Sequence, residues 1–168
     1  MKTAAHEWNF SYLKLDFLYA GALPGKRSNP YLTRAQILRT ALQALRTTAG
    51  EQTFLLGCGC PLGSGVGLVD AMRIGADVDG RWKPAILGKD IPSFHHEPDL
   101  PSARNAIQNT LTRAAFHRRW WLNDPDCLLL RETTQLTLDE IQSLATVIAL
   151  SGGLWVLSDH LPELSPER

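Results

Sequence analysis

The strongest constraint on the fold is the order of segments along the chain. Short apolar stretches that read as strands alternate with amphipathic helices that carry their own start signals. Residues 12–18 (YLKLDFL) read as the first strand, and a Gly/Pro/Ser loop follows. Thr33 then stands as the cap of a helix whose Ile37, Leu38, Ala41, Leu42 and Leu45 share one face, with Gly50 ending it. Residues 53–60 (TFLLGCGC) and 68–78 (LVDAMRIGADV) read as two further strands, and a long loop leads to a helix over 102–121 capped by Ser102. The segment DCLLLR is a fourth strand. Thr137 and Glu140 form a capping box for the next helix, and LWVLSDHL is a fifth strand. Alternation of this kind predicts an α/β fold with a parallel sheet and helices outside it.

The first strand poses a problem of charge. Lys14 and Asp16 lie two residues apart, so alternation points both to one face of an otherwise apolar strand. Burying a charge is costly unless it is paired or used. In parallel α/β folds the C-terminal strand ends hold the active site, and Asp16, Cys58, Asp77 and Asp159 all fall late in apolar runs or just after them. That pattern predicts Lys14 and Asp16 on the inside of a barrel, near its mouth. Asp77 repeats the theme, with Arg73 four residues before it. Two carboxylates in one pocket can divide glycoside hydrolysis between nucleophile and acid/base. A lysine beside the nucleophile keeps it ionised, and a less well paired second carboxyl serves as the acid. On spacing alone, a structural ion pair at each aspartate is the readier reading, since such pairs also mark sites of this kind.

Composition removes other classes. The 168 residues fit one ordinary domain, and a 44% hydrophobic content supplies a core. With 17 basic and 17 acidic residues the formal charge is zero, against a nucleic-acid partner. No apolar run is long enough to span a bilayer, so no membrane association is expected. The opening MKTAAHEWNF lacks an apolar core, and three cysteines do not make a disulfide framework, so cytoplasm is the expected compartment. Cys58 and Cys60 with His95 and His96 do not follow a zinc-ligand spacing, so no metal and no cofactor is expected. GCGCPLGSGVG lacks the lysine of a phosphate loop, and its glycines allow close backbone approach around a pocket. HRRWW reads as packing plus solvated charge. Trp82, soon after Asp77, is a candidate contact for the leaving group of a sugar substrate, or equally a loop anchor. Asp70, Asp126 and Asp159 read as structural.

Four stretches, YLKLDFLYAGA, GCGCPLGSGVGLVDAMRIGADV, WLNDPDCLLLR and LSGGLWVLSDHL, in that order resemble the melibiase-type α-galactosidases and their retaining glycoside hydrolase clan. The resemblance covers almost the whole chain. It implies a (β/α)8 TIM barrel, of which about five parallel strands, roughly strands 4 to 8, are represented here. It implies Asp16 as nucleophile, Asp77 as acid/base, Lys14 and Arg73 as sugar-binding cations and Cys58 as a residue of the pocket wall. Asn123 to Asp126 match the turn of the seventh strand, and Asp159 the acid after the eighth.

The expectation for residues 1–168 is therefore the C-terminal part of such a barrel, with its first three strands, last helix and a C-terminal β-sandwich absent. A full barrel takes about 250 residues. The expected activity is cleavage of terminal α-linked galactose from an oligosaccharide or glycoconjugate by double displacement. The isolated chain is expected to be inactive and to self-associate through open sheet edges. Two alternatives remain: a non-catalytic or partner-completed half barrel, and a hydrolase or transglycosidase for another α-linked sugar.

Overall fold

The structure, a computed structural model, describes residues 1–166. These residues form two units, the first Met1–Arg73 with Trp120–Leu122, the second Ile74–Arg119 with the residues from Asn123 on. Among the described residues no helix is long and apolar enough to cross a membrane.

In the first unit β1 (Tyr12–Leu15) pairs parallel with β2 (Phe54–Gly57), Tyr12 opposite Phe54 and Leu15 opposite Gly57. β2 pairs parallel with β3 (Ala71–Arg73), Gly57 opposite Met72. β4 (Leu122–Asp124) comes next, giving a four-stranded sheet in the order β1-β2-β3-β4. The Leu122 N–H donates to the Asp70 carbonyl at 2.8 Å. The parallel α/β arrangement expected from the sequence is present.

Helix α1 (Arg34–Ala49) joins β1 to β2 and starts where the sequence places it. The Gln36 N–H donates to the Thr33 hydroxyl at 3.3 Å and the Thr33 N–H donates back to the Gln36 side chain at 2.8 Å. Gly50, at φ 80°, ends it. Its buried stripe is Leu38, Leu42, Arg46 and Ala49, at helical spacing. Arg46 is the exception to an apolar face, and its guanidinium is fully employed. It donates to the carbonyls of Leu68 at 3.1 Å and Thr53 at 2.8 Å, and to the Asp70 carboxylate. Asp70 also accepts the Leu55 N–H at 2.7 Å. One buried cation thus ties the end of α1, the start of β2 and the entry to β3. A short helix, α2 (Leu62–Gly65), follows β2.

Strand β1 is shorter than the sequence predicts. It stops at Leu15, Phe17 takes a left-handed conformation (φ 53°), and Leu18–Ala22 coils into a 3-10 turn.

In the second unit α3 (Ala103–Arg113) is capped by the Ser102 hydroxyl, which accepts the Asn105 N–H at 3.1 Å. The expected helix through residue 121 stops early. Ala114–Phe116 is a 3-10 turn and Arg118 is left-handed at φ 60°. The reason is tertiary: the Asn123 side-chain amide donates to the Arg113 carbonyl at 3.0 Å, satisfying a helix-end acceptor that another turn would have used. α4 (Leu138–Ser151) carries the Thr137/Glu140 capping box. Its Ile141, Leu144 and Ile148 pack with Ala103 and Ala106 of α3, Leu128 and Leu136 into one core cluster.

DCLLLR does not continue from β4. Pro125 and Asp126, the latter at φ 78°, break the chain between β4 and β5 (Cys127–Leu128). β5 pairs parallel with β6 (Val156–Leu157) as a separate two-stranded sheet. Gly153 sits at φ 108°, where an added Cβ would lie 2.4 Å from the Asn123 carbonyl oxygen.

Two outcomes follow from this packing. Arg46→Ala leaves several buried acceptors without donors and should lower unfolding free energy by about 3 kcal/mol, read from urea denaturation; an unchanged midpoint would contradict the role given to Arg46. Gly153→Ala combines left-handed strain of about 1–2 kcal/mol with a backbone overlap. Its thermal midpoint should fall well below that of an exposed control such as Gly25→Ala, whose Cβ meets nothing within 4 Å.

Candidate active site

The ends of β1 and β2 build the first part of the site. Their register sets Leu15 opposite Gly57, so the next residues out, Asp16 and Cys58, are lateral neighbours. In a parallel pair such neighbours point to the same face. The loops beyond are laced together. The Cys58 N–H donates to the Leu15 carbonyl at 2.8 Å, Leu18 N–H to Cys58 at 3.2 Å, and Tyr19 N–H to Gly59 at 2.7 Å. This lacing holds Phe17 left-handed, a conformation costly for a bulky residue. In return the Phe17 N–H turns back onto the Asp16 carboxylate at 2.7 Å. Gly59 is required here: at φ 56°, a Cβ would stand 3.3 Å from the Tyr19 ring.

Asp16 is exposed, yet its environment favours the charged form. A hydrogen bond from the Cys58 thiol and the Phe17 N–H hold its pKa below the ordinary carboxylate value, and the charges of Lys14 and Arg73 add to this. Cys58 is shifted the other way. Burial, reinforced by its bond to Asp16, pushes the thiol up to about 11. Burial alone does the same for Cys60, to about 11. Near neutral pH a charged carboxylate thus lies beside a protonated thiol. Lys14 is exposed and lies one alternation before Asp16. Arg73, buried at the end of β3, was read from the sequence as the cation of Asp77; its field also reaches Asp16. The sequence reading missed the adjacency of Asp16 and Cys58, whose signal was available only in combination, as two residues that each directly follow adjacent parallel strands.

In the second unit Asp77 is exposed in a segment pinned on both sides. Ile74 N–H donates to the Asp124 carbonyl at 3.0 Å, and Arg113 donates to the Ile74 carbonyl. Gly75 passes so close to Asn109 that a Cβ would lie 2.8 Å from its side chain. Val78 N–H donates to the Asp126 carboxylate at 2.8 Å. Asp126 therefore orders the backbone next to Asp77. Asp159 does similar work, accepting the Leu130 N–H at 2.5 Å and pairing with Arg131 at 3.3 Å. Trp82 is half-buried against the core of this unit. It also lines a cavity of about 380 Å³ with Arg81, Lys83, Asp90, Gln135 and Glu140. His95 is engaged by Asp90. Among the described residues no group of three His, Cys, Asp or Glu side chains could hold a metal ion.

No family sequence model matches the chain. Solved structures do. The α-galactosidase TtGalA from Thermus thermophilus, in complex with stachyose, is 33% identical with a TM-score of 0.76 over 99% of this chain and 34% of its own length. α-Galactosidase I from Mortierella vinacea matches at 16% identity and TM-score 0.70, over 99% of this chain and 42% of its own. The Saccharomyces cerevisiae α-galactosidase bound to raffinose matches at 16% and 0.70, over 99% and 37%. The two more distant matches speak for the fold alone. The chain spans about a third of the length of the Thermus enzyme. Its parallel α/β arrangement corresponds to part of the α-galactosidase structure, in line with the resemblance read from its motifs.

The raised thiols carry a pH signature. Unfolded cysteine ionises near 9 and folded Cys58 and Cys60 near about 11. Their contribution is complete below the unfolded value and is lost as pH rises through the folded one. Between pH 9 and 11 the stability of the wild-type chain should fall more steeply than that of the Cys58→Ala/Cys60→Ala variant, by urea denaturation across that range. Equal slopes would contradict the burial of both thiols.

Proposed function

We propose that residues 1–168 supply the catalytic half of an α-galactosidase-like retaining glycoside hydrolase that removes terminal α-linked galactose by double displacement. Asp16 is the nucleophile and attacks the anomeric carbon. Asp77 protonates the leaving oxygen, then activates water against the covalent glycosyl ester. Lys14 and Arg73 bind sugar hydroxyls, Cys58 forms the pocket wall, and Trp82 contacts the leaving group. No metal or organic cofactor takes part. The observation that supports this reading best is the state of Asp16: exposed to a substrate, yet held ionised by the Phe17 N–H, the Cys58 thiol and two cations at a strand end. The ligands of the matched structures, stachyose and raffinose, support an α-galactoside as substrate.

Association between copies belongs to the same proposal. β1 stands first in the sheet order, and Trp8, Phe10, Phe17 and Tyr19 are exposed beside it.

The test is a chimaera in which residues 1–168 replace the matching segment of the Thermus α-galactosidase. The chimaera should hydrolyse an aryl α-galactoside with retention of configuration, and residues 1–168 alone should be far slower. Asp16→Asn should abolish turnover, since an amide cannot carry the glycosyl ester. Azide should restore reaction and yield the β-galactosyl azide. A folded chimaera without turnover, or an Asp16→Asn variant near the wild-type rate, would overturn the proposal.

A further inference from the structure

We propose that His117 is a positioning residue for Asp77: its imidazole accepts the Asn123 N–H and so holds residues 123–126, which fix the backbone on either side of Asp77. Two local turns place the ring. Past α3 the His117 N–H donates to the Ala114 carbonyl at 3.0 Å, and Arg118, left-handed at φ 60°, turns the chain back. The Asn123 N–H then donates to His117 Nδ1 at 3.2 Å. The end of α4 packs against the same ring. Gly152 is at φ 72°, and a Cβ there would stand 3.0 Å from Cδ2 and Nε2. Asn123 is buried, and its other groups are tied as well. Its side-chain amide donates to the Arg113 carbonyl at 3.0 Å, and its own carbonyl accepts the Leu154 N–H at 2.8 Å.

A continuous series of hydrogen bonds runs from Asn123 to Asp77. The Asp124 carbonyl accepts the Ile74 N–H at 3.0 Å, and the Asp124 carboxylate accepts the Asp126 N–H at 2.9 Å. The Asp126 carboxylate accepts the Val78 N–H at 2.8 Å. Asp77 thus lies between two residues, Ile74 and Val78, that one segment holds. A backbone N–H bonds Nδ1 only while that nitrogen keeps its lone pair, so the proton of the neutral ring is on Nε2. Protonation puts a second donor where an acceptor is needed, and the bond is lost. The neighbouring segments carry Arg113 on α3, Arg118 and Arg119 in the turn and Asp124 on β4, while residues 150–153 carry no charge. Of these groups Arg118 is the one whose charge acts on the ring. Burial first, then that charge, keep the imidazole's pKa below its ordinary 6.5. The hold is therefore complete above 6.5 and is lost as the pH falls through the lower midpoint of the folded chain. Its catalytic meaning rests on the reading of Asp77 as acid/base. A carboxyl that gives a proton in one step and takes one in the next needs a fixed place in both.

The experiment needs no turnover, so its failure is separable from that of the galactosidase reading. NMR of the nitrogen-labelled chain follows the two His117 ring nitrogens and the amides of Asn123, Ile74 and Val78 against pH. At neutral pH Nδ1 should be the unprotonated nitrogen. On acidification the three amides should shift together, with the midpoint of His117 and below 6.5. In His117→Asn the side-chain carbonyl stands where Nδ1 stood and does not titrate. Its amides should stay near their neutral wild-type positions and lose that midpoint. In His117→Ala they should lie near the acid positions at every pH. Asp124 and Asp126 titrate in all three chains, so a shift of their making would persist in His117→Asn. A protonated Nδ1 at neutral pH, or Ile74 and Val78 amides that do not follow the His117 midpoint, would overturn the proposal. So would amides that still show that midpoint in His117→Asn. If a variant does not fold, the wild-type titration decides.

Discussion

The candidate site depends on one parallel pairing. Because Leu15 faces Gly57, the next step along each strand brings Asp16 and Cys58 side by side. A shift of one residue would turn one of the two side chains to the opposite face. The register is supported by Arg46, which binds the carbonyls of Thr53, just before β2, and Leu68, ahead of β3, and the Asp70 carboxylate that in turn accepts the Leu55 N–H. The buried charge of α1 and the exposed charge of Asp16 are thus parts of one structure. The first fixes where β2 lies, and β2 fixes what Asp16 meets.

The answer to the charged first strand lies in this arrangement. Lys14 and Asp16 do share a face, and that face is exposed, so neither charge pays a full desolvation penalty. The cost is transferred to the backbone, as a left-handed Phe17 held by hydrogen bonds from the neighbouring loop. Strain of this sort is tolerated where the surrounding structure over-determines it, and here it aims an N–H at a carboxylate.

What the sequence made legible was local. Thr33 with Gln36, Ser102 with Asn105 and Thr137 with Glu140 announce helix starts through contacts three residues away, and all three starts are where they were expected. Helix and strand ends were harder, because they are decided by distant residues. α3 stops where Asn123 reaches its last carbonyl, and β4 separates from β5 at Pro125 and a left-handed Asp126. The same limit applied to the site. Asp16, Lys14, Cys58 and Arg73 could be picked out singly by residue type and position in strands. That Cys58 lies beside Asp16 and that the charge of Arg73 reaches it from β3 required the strand order and register. Asp77 and Trp82 were legible as positions, and the segment around Asp77 is held by Asp126, which reads from the sequence only as structural.

The central claim is that Asp16 becomes covalently bonded to galactose during turnover. The most direct measurement uses a fluorinated α-galactosyl fluoride, whose slow deglycosylation lets the glycosyl ester accumulate. The chimaera would be incubated with it, digested and mapped by mass spectrometry. The account predicts one added fluorogalactosyl group, carried by the peptide that contains Asp16. A label on Asp77 instead, or turnover with no label on any carboxylate, would contradict it.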